Sequence, residues 1–370
     1  MPTRHVVAVA TLLVAVPAAI PQTVPRATAT ETGSTAVRGW SVDLDRGATR
    51  SRGQLVSARR AFSTVGVTWG RGEDPHVEVR TRSGGDWSSW QEVHPFAGAP
   101  ATEPIWVDTS EAVRVRVSEW RRDLTVVLID PGDNPEPSAD RTAARRSGAV
   151  ATVTTTLLAR SGTRRVERAP MPRLRLREDW GARERWRTSD PVYLDKIKHA
   201  HIHHTAGRNR YSRADVPGII RSMYWYHTKQ LGWSDLGYNF LVDRFGRIWV
   251  GRAGGFRKRV RGAHTLGFNH ASFGVAYIGN TERTRLNERA KGALVRLVAW
   301  KLDRDGRAPN ARKIRVYSKG SDLIPAGELV RLPAVLSHRR TNQTACPGEN
   351  LYGFIPRLRE RAQNRADSWG

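Results

Sequence analysis

Three places along this chain carry side chains that could bind a soft or borderline metal ion. The first is a histidine-rich run at residues 199–204, HAHIHH, the second is His338, and the third is Cys346. A catalytic zinc ion takes three protein ligands and keeps its fourth position open for water. Two imidazoles and one thiolate would satisfy that demand, so these residue types indicate a candidate zinc site.

Spacing alone leaves other interpretations of these side chains open. An isolated histidine can be a satisfied polar group, and a lone cysteine is usually an inert, buried hydrophobe. Strand alternation would place His199, His201 and His203 on one face and His204 on the other, which does not select a ligand. The chain contains no HExxH helix, so a thermolysin-like site is excluded.

Charge and the N-terminal segment narrow the choice of partner. A formal net charge of +26 over 370 residues implies an anionic partner, such as nucleic acid, an anionic membrane or a cell wall. Arg4 and His5 precede an apolar run at residues 6–20, and Ala27-Thr28-Ala29 offers a small-residue cleavage site, which predicts a signal peptide over residues 1–29. Export favours the wall over nucleic acid. No later apolar run is long enough to span a membrane, and a single cysteine excludes an internal disulfide.

Two folded regions are predicted to follow the signal peptide. Residues 39–130 show short alternating or β-branched runs punctuated by Gly, Pro and Asp, which predicts an all-β, sandwich-like or jelly-roll domain. Its Trp87 and Trp90 could stack on carbohydrate, although packing in the core is the favoured interpretation. Residues 131–172, rich in Pro, Ser, Thr, Ala and Arg, are predicted to be a linker.

Residues 173–370 alternate between strand and helix patterns. Apolar residues at helical spacing follow Ser212, and a second helical pattern covers 287–302. Strands are predicted at 197–204, 236–242, 247–250, 272–278 and 334–337, with a last helix after Pro347. The expected fold class is α/β, a mixed β-sheet flanked by helices.

Residues 179–355 resemble the family of peptidoglycan-recognition proteins and N-acetylmuramoyl-L-alanine amidases. The resemblance rests on several motifs that occur in the family's order: WGA at 180–182, IHHTAG at 202–207, YH at 226–227, GWSDLGYNF at 232–240, GR at 251–252, GAHT at 262–265, GFN at 267–269, SHR at 337–339 and TACPG at 344–348. Ser337, Arg340 and Val250 depart from the usual pattern near the expected groove, and none of them removes a ligand.

The resemblance implies a role for individual residues. His203, His338 and Cys346 correspond to the zinc ligands, whereas His201 and His204 do not. Tyr238 falls on the family's catalytic tyrosine, and Thr344 on a position that supports it. Four further residues in matched motifs are expected to line the substrate groove: Arg252, Trp233, His264 and Asn269.

The implied function is that of a secreted, zinc-dependent N-acetylmuramoyl-L-alanine amidase that cuts between muramic acid and the stem peptide of bacterial peptidoglycan. The expected partner is an anionic cell-wall surface outside the cell, and no nucleic-acid-binding motif is present. The alternative is a recognition protein that binds peptidoglycan without cutting it, and such members usually lack the cysteine. A muramidase would need paired carboxylates. No carboxylate is assigned as a general base.

Overall fold

A computed structural model of the chain describes residues 36–70, 72–96, 98–134 and 168–369. The predicted signal peptide and most of the predicted linker therefore lie outside the described residues. None of the helices in the described ranges is long and apolar enough to cross a membrane.

The first folded region is an antiparallel sheet of seven strands, which confirms the expected all-β fold. Its strands are β1 (Arg38–Asp43), β2 (Gln54–Thr68), β3 (Val77–Ser83), β4 (Asp86–Trp87), β5 (Gln91–Val93), β6 (Ile105–Val117) and β7 (Thr125–Asp130). They are ordered β1-β7-β2-β6-β3-β4, with β5 beside β3. Valines at alternate positions of β3 and β6 are buried, because successive side chains of a strand point to opposite faces.

The two tryptophans of the DWSSW segment are not part of the core, so that interpretation was wrong. Trp87 and Trp90 are half-buried. The guanidinium group of Arg80 lies 5.1 Å from the centroid of the first ring and 4.9 Å from the second. Cation–π contacts of this kind cover an indole that the core does not bury.

The second region is a mixed sheet flanked by helices, as predicted. Its strands are β8 (Leu174–Arg175), β9 (His199–His204), β10 (Phe240–Val242), β11 (Ile248–Val250), β12 (Ser272–Tyr277) and β15 (Val335–Ser337), with a separate hairpin of β13 (Ile314–Tyr317) and β14 (Leu329–Leu332). The sheet order is β15-β9-β12-β10-β11-β8, and only the β10–β11 pair is antiparallel. The helices are α1 (Asp215–Trp225), α2 (Glu288–Arg304) and α3 (Glu349–Asp367).

Local capping fixes where the helices begin. The backbone N–H of Ser212 donates to the Asp215 carboxylate, and the N–H of Asp215 donates to the Ser212 hydroxyl, which forms a reciprocal capping pair. Asn287 accepts from the N–H of Ala290 at the start of α2. Helices α2 and α3 share one core with the sheet, and α1 packs in another.

Helix α1 also packs against the antiparallel sheet. Val127 and Ile129 of β7 belong to the same buried cluster as Ile219 and Met223 of α1. At Gly66 of β2, an added Cβ would lie 2.5 Å from the ring of Tyr226, so only glycine permits this approach. The two regions therefore meet through a closely packed surface.

A buried carboxylate closes the β10–β11 hairpin and gives a stability prediction. Asp243 is completely buried and accepts hydrogen bonds from the N–H groups of Phe245 and Arg247, from the Arg247 guanidinium and from the indole of Trp249. Asp243→Ala should lower the free energy of unfolding by about 3 kcal/mol, because it leaves the buried Trp249 indole and two backbone N–H groups without an acceptor. Urea denaturation measures the loss. Glu288→Ala, which removes an exposed ion-pairing carboxylate, is the control and should leave the midpoint near that of the unmodified chain. Equal midpoints for the two variants would contradict the assigned role of Asp243.

Candidate metal centre

Three side chains from distant parts of the sequence converge at the ends of β9 and β15. His203 comes from β9, His338 directly follows β15, and Cys346 lies in the loop before α3. One ligand atom from each lies within 4.8 Å of the other two, and all three residues are buried. Parallel strands bring their carboxyl ends to the same edge of a sheet, which explains why these residues meet.

The imidazole of His203 is oriented from both sides. Its Nδ1 lies 3.7 Å from the Sγ of Cys346, and its Nε2 lies 3.1 Å from the Nδ1 of His264. His264 packs over Gly262 and Gly274, where an added Cβ would come within 2.4 Å of its ring. A ligating histidine commonly holds its second nitrogen in such a hydrogen bond.

The donor set matches a zinc ion. Both ring nitrogens of His338 are buried without a hydrogen-bonding partner among the described residues. Burial lowers the pKa of His338 to about 4, so its imidazole is neutral and has a lone pair to donate. Burial also raises the pKa of the Cys346 thiol well above its ordinary value, so a cation is needed to hold it as a thiolate. Two nitrogens and one sulfur are a typical set for zinc.

The other histidines of β9 lie outside this cluster. The Nδ1 of His199 is 2.9 Å from the carbonyl oxygen of Pro333, and the Nε2 of His201 is 3.4 Å from the hydroxyl of Thr341. His204 accepts from the N–H of Thr281 at 3.2 Å. Each of these imidazoles has a partner elsewhere in the fold.

Tyr238 and Thr344 both lie beside the cluster. The ring centroid of Tyr238 is 5.2 Å from that of His203, and only 3% of the tyrosine is exposed. The Thr344 hydroxyl accepts from the N–H of Cys346 at 3.1 Å, which fixes the conformation of the loop that carries the thiol.

The predicted groove residues are tied into the loops around the site. Arg252 donates to the Leu236 carbonyl and the Ser234 hydroxyl, each at 2.9 Å. The Oδ1 of Asn269 accepts from two backbone N–H groups, those of His264 and Thr265, and so shapes that loop. His264 contacts His203, and the ring of Trp233 lies 4.7 Å from that of His227. Their contact with a substrate stays a prediction.

The structure adds one residue that the sequence did not indicate. Glu103, from the segment before β6, is 4% exposed and lies close enough to Tyr238 that each side chain affects the pKa of the other. Burial raises the pKa of Glu103 to about 8, and the tyrosine opposes that rise. No local pattern could have found it, because Glu103 and Tyr238 belong to different folded regions.

Comparison with known proteins decides the family. A family model described as N-acetylmuramoyl-L-alanine amidase matches residues 193–349, and one described as Rv3811 N-terminal galactose-binding domain-like matches residues 17–146. Peptidoglycan-recognition protein SA of Drosophila melanogaster is 31% identical over 187 residues, which cover 50% of this chain and 78% of that protein. The chain belongs to the peptidoglycan-recognition protein and amidase family.

Other relatives show what this family contains. Peptidoglycan-recognition protein SC2 of Drosophila melanogaster is 29% identical over 183 residues, covering 48% of this chain and 82% of the relative. A human N-acetylmuramoyl-L-alanine amidase is 34% identical over 136 residues, covering 37% of this chain and 19% of that protein. The family therefore includes proteins named for recognition and a protein named for hydrolysis, and the resemblance inferred from the motifs is confirmed.

Proposed function

We propose that this chain is a secreted, zinc-dependent N-acetylmuramoyl-L-alanine amidase that hydrolyses the bond between muramic acid and L-alanine in peptidoglycan. The observation that carries the proposal is the buried convergence of His203, His338 and Cys346 beside the ring of Tyr238. A recognition protein that only binds has no need of this buried donor set.

Each residue of the site would have a separate role in hydrolysis. His203, His338 and Cys346 would hold Zn²⁺, which supplies a bound water of lowered pKa and polarises an amide carbonyl. Burial and the nearby Glu103 raise the pKa of Tyr238 well above its ordinary value, so its hydroxyl stays protonated and can donate to a carbonyl oxygen that gains charge. His264 orients the imidazole of His203.

The surface charge and the N-terminal sequence support a location at the wall. A net charge of +26 would concentrate the enzyme on phosphate- and carboxylate-rich polymers, an attraction that salt weakens. Export through the predicted signal peptide would bring it to that surface. Nucleic acid is not proposed as a partner.

Digestion of purified peptidoglycan tests the proposal. The protein is incubated with wall material after removal of metal by a chelator and again after addition of zinc, and the products are analysed by mass spectrometry. Stem peptides with a free L-alanine amino terminus should appear only with zinc. Glycopeptides that stay intact despite sedimentation of the protein with the wall would instead establish a recognition protein.

A further inference from the structure

One segment of the antiparallel sheet packs against residues around the candidate metal centre. This covering segment, residues 94–108 with 97 outside the described ranges, runs from the end of β5 into β6. The ring of Phe96 lies 5.4 Å from that of His227 and 5.2 Å from that of Trp233. The Trp106 carbonyl accepts from the N–H of Arg208 at 2.9 Å, and Asp108 forms an ion pair with the Arg208 guanidinium.

The side chains of the site next to the covering segment are buried and closed to large molecules. His203, Cys346 and Tyr238 are 0%, 1% and 3% exposed, and His338 is 4% exposed. A glycan strand with its stem peptide cannot bring its scissile bond into contact with groups that are buried to this extent. Substrate access therefore requires that the residues covering these groups move.

Glu103 also removes a group that the reaction needs. Its buried side chain lies beside Tyr238, whose hydroxyl hydrolysis would direct at the substrate carbonyl. Burying a carboxyl group away from water costs free energy even in its neutral form, so the contact is held by the packing around it rather than by its own favourable energy. Such a contact can be released by a partner that competes for the segment.

We propose that the covering segment is an autoinhibitory latch, which keeps the amidase closed until contact with the wall displaces it. The inference rests on the proposed function for its biological meaning, but the closure itself can be measured without hydrolysis. Three side chains of the latch contact the site region: Phe96 on His227 and Trp233, Glu103 on Tyr238, and Asp108 on Arg208.

The chain's single cysteine provides the measurement. Cys346 is the only thiol, so its rate of reaction with a maleimide in metal-free protein reports how often the site opens. Asp108→Ala should raise that rate about two- to fivefold, the range for loss of one exposed ion pair. Phe96→Ala should raise it about tenfold or more, because it removes a buried aromatic anchor. Circular dichroism confirms that each variant is folded.

A matched control is available on the same strand. Glu111, like Asp108, is a partly exposed carboxylate of β6 paired with an arginine, but its partner Arg82 lies within the same sheet. Glu111→Ala should leave labelling unchanged. The zinc-loaded Asp108→Ala and Phe96→Ala variants should also release stem peptides faster than the unmodified chain.

Three results would decide against one claim or the other. Equal labelling of Asp108→Ala, Phe96→Ala and Glu111→Ala would overturn the latch. Slower peptide release from Phe96→Ala with full zinc content would also overturn it, since the segment would then complete the site rather than block it. Faster labelling with no peptide release from any protein would retain the latch and refute the amidase.

Discussion

The Cys346→Ser variant is expected to lose stoichiometric zinc and to release stem peptides at least about a thousandfold more slowly than the unmodified chain. A serine hydroxyl does not ionise near neutral pH, so the substitution leaves only two nitrogen donors, from His203 and His338. Metal analysis after dialysis measures the first effect, and mass spectrometry of wall digests measures the second. Sedimentation with peptidoglycan should persist, because the basic surface is unchanged.

The neighbouring residue supplies a control for this substitution. Ala345→Ser adds a hydroxyl to the same loop while keeping the thiol, so it should retain zinc and hydrolysis. Both variants are compared in the unmodified chain and in the Phe96→Ala background, where a more open site gives a larger signal. Undiminished hydrolysis by Cys346→Ser in either background would mean that the thiol is not a ligand.

Local sequence patterns were sufficient to predict most of the second region. The histidine run of β9 reads as a strand because Ala200 and Ile202 alternate with it and enter the core below the sheet. Helix α2 follows from apolar residues at helical spacing after an Asn cap. The hairpin of β13 and β14 was missed, since it buries few residues: Ile314 in the main core, and Val316 and Leu332 in a small second cluster.

The contacts between the two regions could not be predicted in this way. The local pattern around Glu103 predicts only a neighbouring strand. Its partner Tyr238 lies 135 residues further along the chain. The sequence around Gly66 did not indicate a contact with the second region either, although the missing side chain of Gly66 makes room for the ring of Tyr226. Periodicity reports which face of an element is buried, but not which distant element covers it.

The groove residues show a second limit of motif matching. Arg252 and Asn269 stand in matched motifs, yet their polar atoms hold backbone groups of nearby loops. A motif marks a position whose residue type matters, and the reason can be the shape of a loop as well as contact with substrate. The hydrogen-bonding partners of a side chain distinguish a role in loop shape from a role in substrate contact, and these partners are visible only in the structure.

The Tyr238→Phe variant is expected to lower the rate of hydrolysis about 10²- to 10³-fold while leaving zinc content unchanged. The ring beside His203 is kept, so the site retains its packing, but the hydroxyl that would donate to the developing oxyanion is lost. The same change releases Glu103 and loosens the latch, an effect of severalfold at most in the opposite direction. The loss of the donor therefore dominates.

A double-mutant cycle separates the two consequences of Tyr238→Phe. If the Glu103 carboxylate acts through the tyrosine hydroxyl, Glu103→Ala should speed hydrolysis in the unmodified chain and have a smaller effect when the hydroxyl is already absent. Tyr193→Phe, which alters an exposed tyrosine bonded to the Gly254 carbonyl, is the control and should be neutral. Full activity of Tyr238→Phe would remove this residue from the chemistry. A Glu103→Ala effect of the same size with and without the hydroxyl would show that the carboxylate acts on the site by another route.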